Sequence, residues 1–119
     1  MTALLAARVV KACIDTGVTL ATAESLTAGL VAARIAEVPG CSAMLRGGVI
    51  AYATDVKARV LGLDQESLEQ VVSEAVASQL AQAATRVLRS DIGVGTTGVA
   101  GPDWLAGEPP GTVWIAVFD

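Results

Sequence analysis

Residues 18–35 read VTLATAESLTAGLVAARI, and this stretch decides the fold. Its first part, 18–23, is a short apolar run with β-branched members, as a buried strand requires. Beyond it, Leu26, Leu30, Ala33 and Ile35 recur at a spacing of about 3.6 residues, which predicts a helix beginning directly after Ser25. Ser25 is thereby expected where a strand gives way to a helix.

Working outward, Leu5, Val9, Cys13 and Ile14 recur at helical spacing over 2–16, and Gly17 follows where a C-cap falls. On the other side Pro39-Gly40 ends the second helix, 48–53 reads as a second strand, and 54–61 reads as a short helix stopped by Gly62. Lys57 lies early in that helix. Over 73–88, Val76, Leu80, Ala83, Ala84 and Val87 form an apolar stripe, with Ser73 as N-cap and Glu74 in the first turn. A third strand over 92–96, a Gly/Pro-rich loop over 98–111 and a fourth strand over 112–118 complete the chain.

Strands alternating with helices imply an α/β fold: a three-layer α/β/α sandwich whose mostly parallel or mixed sheet has about four strands. With 119 residues and no repeat, linker or low-complexity segment, the expectation is one domain over 1–119.

The chain is 53% hydrophobic but only 3% aromatic, so its interior must be built from Ala, Val, Leu and Ile. A mean hydropathy of +0.58 is high for a soluble monomer and predicts an apolar face covered in a homo-oligomer, a dimer or larger. No apolar run approaches the ~18 residues of a membrane helix. Arg8 and Lys11 interrupt the N-terminal Leu/Ala stretch, so the expected location is the cytoplasm, with no membrane partner. A net charge of -4 with eight Lys and Arg argues against a nucleic-acid partner.

With two cysteines and no histidine, the usual four-ligand zinc site cannot be assembled, no metal is expected, and a His-based triad is excluded. A serine at a strand-to-helix turn suits acyl transfer, since the free N–H groups of the helix's first turn can stabilise an oxyanion. Most serines in such positions, however, are simply N-caps. Without histidine, the bases available to Ser25 are Lys57, Tyr52, Glu24 and Asp55. A buried lysine can be desolvated toward a neutral amine, although a lone lysine on a short helix is usually a solvated surface charge.

The string Gly93-Val-Gly95-Thr-Thr-Gly98 matches G-x-G-x-x-G, but Val-Ala-Gly-Pro-Asp follows it where a dinucleotide fold needs a helix. It reads instead as a strand end with close-approach glycines, whose loop either forms a tight turn or cradles a phosphate with the Thr96 and Thr97 hydroxyls. Cys41 lacks a histidine to activate it, and Cys13 falls on the apolar face of the first helix; both read as structural thiols.

Taken in order, the segments Ala23-Glu24-Ser25-Leu26-Thr27-Ala28-Gly29, Val38-Pro39-Gly40, Arg46-Gly47-Gly48-Val49-Ile50-Ala51-Tyr52, Lys57 before Leu61-Gly62, Val72-Ser73-Glu74 and Thr97-Gly98-Val99-Ala100-Gly101-Pro102 resemble the C-terminal domain of the competence/damage-inducible protein (CinA) family. The resemblance implies an amidohydrolase of pyridine-nucleotide salvage that converts the ring carboxamide of nicotinamide mononucleotide to a carboxylate and ammonia, without a cofactor.

At matching positions it implies Ser25 as nucleophile, Lys57 as general base and Tyr52 as an assisting hydroxyl. Thr27, Gly29, Gly48, Thr97, Gly98 and Gly101 are the implied substrate contacts. The chain departs from the family pattern at Thr54, where the family carries Asn, and at Asp103-Trp104-Leu105-Ala106, which replaces a Gly-rich stretch. The family's domain also continues past the last strand into a segment with an arginine and a final helix. Three readings therefore stand: an active deamidase, a shortened homologue that binds nucleotide without turnover, and an oligomeric interaction module.

Overall fold

The computed structural model describes residues 1–119. At its centre lies β1 (Leu20–Glu24), every residue of which is buried. It pairs in parallel with β2 (Leu45–Ile50) on one side and β3 (Ile92–Gly98) on the other, and β3 pairs antiparallel with β4 (Val113–Phe118). The order β2-β1-β3-β4 makes the sheet mixed, as expected, with β4 at one edge.

A strand buried on both faces needs cover on both, and the side chains of β1 divide accordingly. Leu20 packs into a cluster with Val10 and Cys13 of α1 (Ala3–Thr16), Ile35 of α2 (Leu30–Ala36) and Met44. Ala21 and Ala23 point the other way, into a cluster with Val76, Leu80, Ala83 and Ala84 of α5 (Glu74–Leu88) and Leu61 of α3 (Thr54–Leu61). The result is the three-layer sandwich.

The small side chains of the sheet have a packing reason. Gly93 and Gly95 lie where a Cβ would run into the backbone of α5, at the Ala81 and Ala77 carbonyls respectively. Helix and strand thus approach more closely than any side chain would permit, which accounts for two of the three glycines in the G-x-G-x-x-G string.

The caps follow the sequence. Thr2 accepts the Leu5 amide and Ser73 accepts the Val76 amide, while Gly17 and Gly62 end α1 and α3 in the left-handed conformation. The structure differs from the sequence reading in four places. The second strand begins at Leu45, not residue 48, because Leu45 pairs with Leu20 and extends the parallel ladder. A one-turn helix, α4 (Gln65–Leu68), capped by Asp64 on the Ser67 amide, occupies a segment with no periodic signal. Val87 of the α5 stripe is exposed, and Leu88 packs on the core in its place. The fourth concerns α2, which starts at Leu30 rather than Leu26.

Candidate active site

The parallel strands β1, β2 and β3 end on the same side of the sheet, where α/β folds place their sites. A cavity of about 260 Å³ opens there. Ser25 and Leu26 enter it from the end of β1, Tyr52, Thr54 and Lys57 from the segment after β2, and Thr97 to Gly101 from the end of β3.

Ser25 sits on a bend and not at a helix start. Its amide donates to the Thr96 carbonyl at 3.1 Å and the Thr96 hydroxyl at 3.3 Å, while its own hydroxyl makes no hydrogen bond within the chain. The turn that follows carries Ala28 at φ 50° and Gly29 at φ 93°, two successive left-handed residues that delay α2 until Leu30. Ser25 is therefore not an N-cap.

The cap of α2 is Glu24. Its fully buried carboxylate accepts the Val31 amide at 2.9 Å and the Ala32 amide at 3.1 Å, and also the hydroxyls of Thr22 at 3.0 Å and Thr27 at 2.6 Å. An acceptor with two oxygens suits a helix end that offers two orphan amides. The N–H groups expected to serve an oxyanion are thus already engaged.

The expected substrate contacts Thr27, Gly29 and Gly48 belong to this same support and do not line the cavity. The Thr27 hydroxyl bridges Glu24 and the Thr96 hydroxyl, 2.8 Å away. Gly48 leaves room for the Thr22 hydroxyl, which a Cβ there would strike, and a Cβ on Gly29 would lie 2.9 Å from Cδ1 of Ile50. They shape the ground beneath Ser25. Thr97, Gly98 and Gly101 do line the cavity. The Thr97 hydroxyl donates to the Val71 carbonyl at 2.9 Å, tying the end of β3 to the wall opposite.

Of the four candidate bases, only Lys57 and Tyr52 line the cavity; Glu24 is spent on α2, and Asp55 faces elsewhere. Lys57 is 1% exposed and has no carboxylate partner, its Nζ donating to the Tyr52 carbonyl at 2.8 Å. Loss of hydration pushes its pKa below the ordinary 10.5, toward a neutral amine. The Tyr52 side chain is exposed.

Sequence reasoning passed over Trp104, treated only as a departure from a pattern. It lines the cavity while 68% exposed, beside Asp103 and Leu105. The signal was its type: one of only two tryptophans in a chain that is 3% aromatic. The cysteines stand apart, Cys13 buried in the core with its thiol pushed up by desolvation and Cys41 donating to the Ala36 carbonyl.

These features define a three-layer α/β domain with a cavity of mixed polar and apolar lining at the carboxyl ends of its parallel strands. The chain belongs to the CinA C-terminal domain family, whose model matches residues 2–119. It is 45% identical over 116 residues to a CinA-like protein of Gemmatimonas aurantiaca, an alignment that covers 95% of this chain and 27% of that protein. Among solved structures it is similar to a CinA superfamily protein from Klebsiella pneumoniae, with TM-score 0.93 and 34% identity over 98% of this chain and 75% of that one. The competence/damage inducible protein CihA from Agrobacterium tumefaciens superposes with TM-score 0.91 and 36% identity, over 97% of this chain and 72% of that one. The chain spans about a quarter of the length of the curated relatives it matches. No helix of the structure is long and apolar enough to cross a membrane.

Proposed function

We propose that this domain hydrolyses the carboxamide of nicotinamide mononucleotide to nicotinate mononucleotide and ammonia, with Ser25 as nucleophile and Lys57 as base. The observation that carries this reading is a hydroxyl free of hydrogen bonds and a buried lysine free of carboxylates on the walls of one cavity. Burial of the amine lowers its pKa and so favours the neutral form that can act as a base.

In the proposed reaction Lys57 takes the Ser25 proton as Oγ bonds to the carboxamide carbon. Collapse of the tetrahedral intermediate breaks the C–N bond, and the proton returns from Lys57 to the departing ammonia. Water, deprotonated by the same amine, then cleaves the ester and restores Ser25. Since Glu24 occupies the α2 amides, oxyanion stabilisation falls to the Leu26 amide, adjacent to Ser25 and without an acceptor in the chain. The Tyr52 carbonyl holds the lysine in place, and its hydroxyl assists proton transfer. Thr97, Gly98 and Gly101 contact the substrate, and Trp104 stacks on the cationic pyridinium ring.

The test is ammonia release from nicotinamide mononucleotide by the purified chain, absent in Ser25→Ala and Lys57→Ala. Thermal stabilisation by the nucleotide without turnover supports a binding domain instead. Neither signal from folded protein overturns both.

A further inference from the structure

One wall of the cavity is built by a loop that the proposed reaction uses only in part. After Gly98 the chain runs out and back over 99–112, closed at its base by the Val99 amide on the Thr112 carbonyl and the Gly111 amide on the Val99 carbonyl, each at 2.8 Å. Its tip is a tight turn. Leu105 and Glu108 exchange both backbone hydrogen bonds, at 3.0 and 2.9 Å, and Ala106 and Gly107 between them take φ 54° and 79°, as a two-residue hairpin turn with two left-handed positions requires. The Gln70 side-chain amide donates to the Ala106 carbonyl at 2.8 Å and to the Val72 carbonyl at 3.4 Å, which ties the tip to the segment before α5. A loop held at base and tip presents what lies between them at a fixed place, and there it carries Asp103, Trp104 and Leu105, all three on the cavity wall.

Of the lining residues, Lys57 and Asp103 are the amine and the carboxylate. Burial pushes the amine toward its neutral form, whereas Asp103 is exposed and makes no ion pair within the chain. The charge that a bound molecule meets on this wall is therefore negative. Beside it the Trp104 indole offers the negative face of a π system. A carboxylate and an aromatic face on one short arm attract a flat cation, and the same ring without its charge gains from neither.

We propose that Asp103 determines specificity for ring charge: with Trp104 it selects a nicotinamide nucleotide whose pyridine ring is cationic over the reduced form, whose dihydropyridine ring is neutral. This rests on the reading that a nicotinamide nucleotide occupies the cavity, and adds which redox state of that nucleotide is accepted. The two forms share ribose, phosphate and carboxamide and differ by one hydride. Whatever holds the phosphate therefore cancels between them, and the ring charge remains. At a separation of about 6 Å and an effective dielectric of about 40, a unit charge opposite a carboxylate changes affinity about tenfold.

Isothermal titration calorimetry on Ser25→Ala, which cannot form the ester, reads both ligands without turnover. Nicotinamide mononucleotide should bind about tenfold more tightly than its reduced form. Adding Asp103→Asn should remove most of that ratio and leave the affinity for the reduced nucleotide nearly unchanged, while Asp103→Glu, which keeps the charge, should retain most of it. An equal loss for both ligands in Asp103→Asn overturns the proposal, because the carboxylate would then act on the ribose that they share. An unchanged ratio overturns it too, as does the absence of binding by either nucleotide. Charge-selective binding that depends on Asp103, with no ammonia release from the wild-type chain, supports the selectivity and removes the hydrolytic reading alone.

Discussion

The carboxylate of Glu24 accepts the amide of Val31 across the turn that carries Ser25, at 2.9 Å. The residue bonded directly to the proposed nucleophile therefore closes the helix that a serine at this position was expected to open. A chain of polar contacts runs beneath the turn, from the Ser25 amide to the Thr96 hydroxyl, to the Thr27 hydroxyl and into the same carboxylate.

Replacing Glu24 tests this support. In Glu24→Gln one acceptor oxygen becomes an amide that faces another donor, so a buried N–H of α2 or a threonine hydroxyl loses its partner. The expected cost is about 1–3 kcal/mol, read as a lower Tm in thermal denaturation. If the turn positions Ser25, kcat falls at least tenfold while KM changes little, because the carboxylate touches no substrate. An unchanged Tm means that the carboxylate does not hold α2.

Ser25→Ala separates chemistry from structure in the opposite direction. The Ser25 hydroxyl makes no hydrogen bond in the chain, and the two contacts of its amide survive the substitution. Stability should stay within about 0.5 kcal/mol of wild type while ammonia release disappears. Had Ser25 capped α2, the same change would cost about 1 kcal/mol.

The strands, the flanking helices and their caps were legible in the chain because each rests on local pattern: period, N-cap residues, glycine after a helix. What lay beyond reach was decided by contacts distant in sequence. The start of α2 moved four residues because Ala28 adopts a positive φ that nothing about alanine signals, and because Glu24, not Ser25, accepts the amides of Val31 and Ala32. Lys57 could be named from its chemistry, but its burial depends on α3 packing against α5, which no short-range pattern reveals. Thr27, Gly29 and Gly48 belong to motifs that run through the site, yet a motif does not say which members face the cavity and which stand beneath it. Trp104 was visible as a residue and opaque as a role.

The close approach of β3 to α5 makes a sharp contrast between two glycines. At Gly95 an added Cβ meets the Ala77 carbonyl and lies 2.6 Å from the Ala81 amide nitrogen, both backbone, so helix and strand must separate along the core. Gly95→Ala should lose about 3 kcal/mol or more, beyond the ordinary range of overpacking. At Gly107 nothing lies within 4 Å and the penalty comes only from φ 79°, so Gly107→Ala should lose about 1–2 kcal/mol. Chemical denaturation of the two variants in parallel checks the order; equal losses would remove the helix–strand contact as the reason for glycine on β3.

The amine of Lys57 links activity and stability through one titration. Its pKa in the folded chain lies below 10.5 because burial strips water from the charged form. Between the two values the unfolded chain binds a proton that the folded chain does not, so the contribution of this group to stability rises with pH across that window. It is at its least favourable below the folded value. Lys57→Met, which removes the ionisable group and keeps the bulk, should therefore raise Tm at neutral pH, and the gain should shrink as pH approaches 10.5. Activity of the wild type follows the same proton: it falls about tenfold per pH unit below the lowered pKa, where the amine is charged and cannot take the Ser25 proton. Melting curves and ammonia release measured over one pH series give both readings. A pH-independent effect of Lys57→Met on Tm would mean that the amine keeps its ordinary affinity for the proton, and the proposed base would then be charged when it is needed.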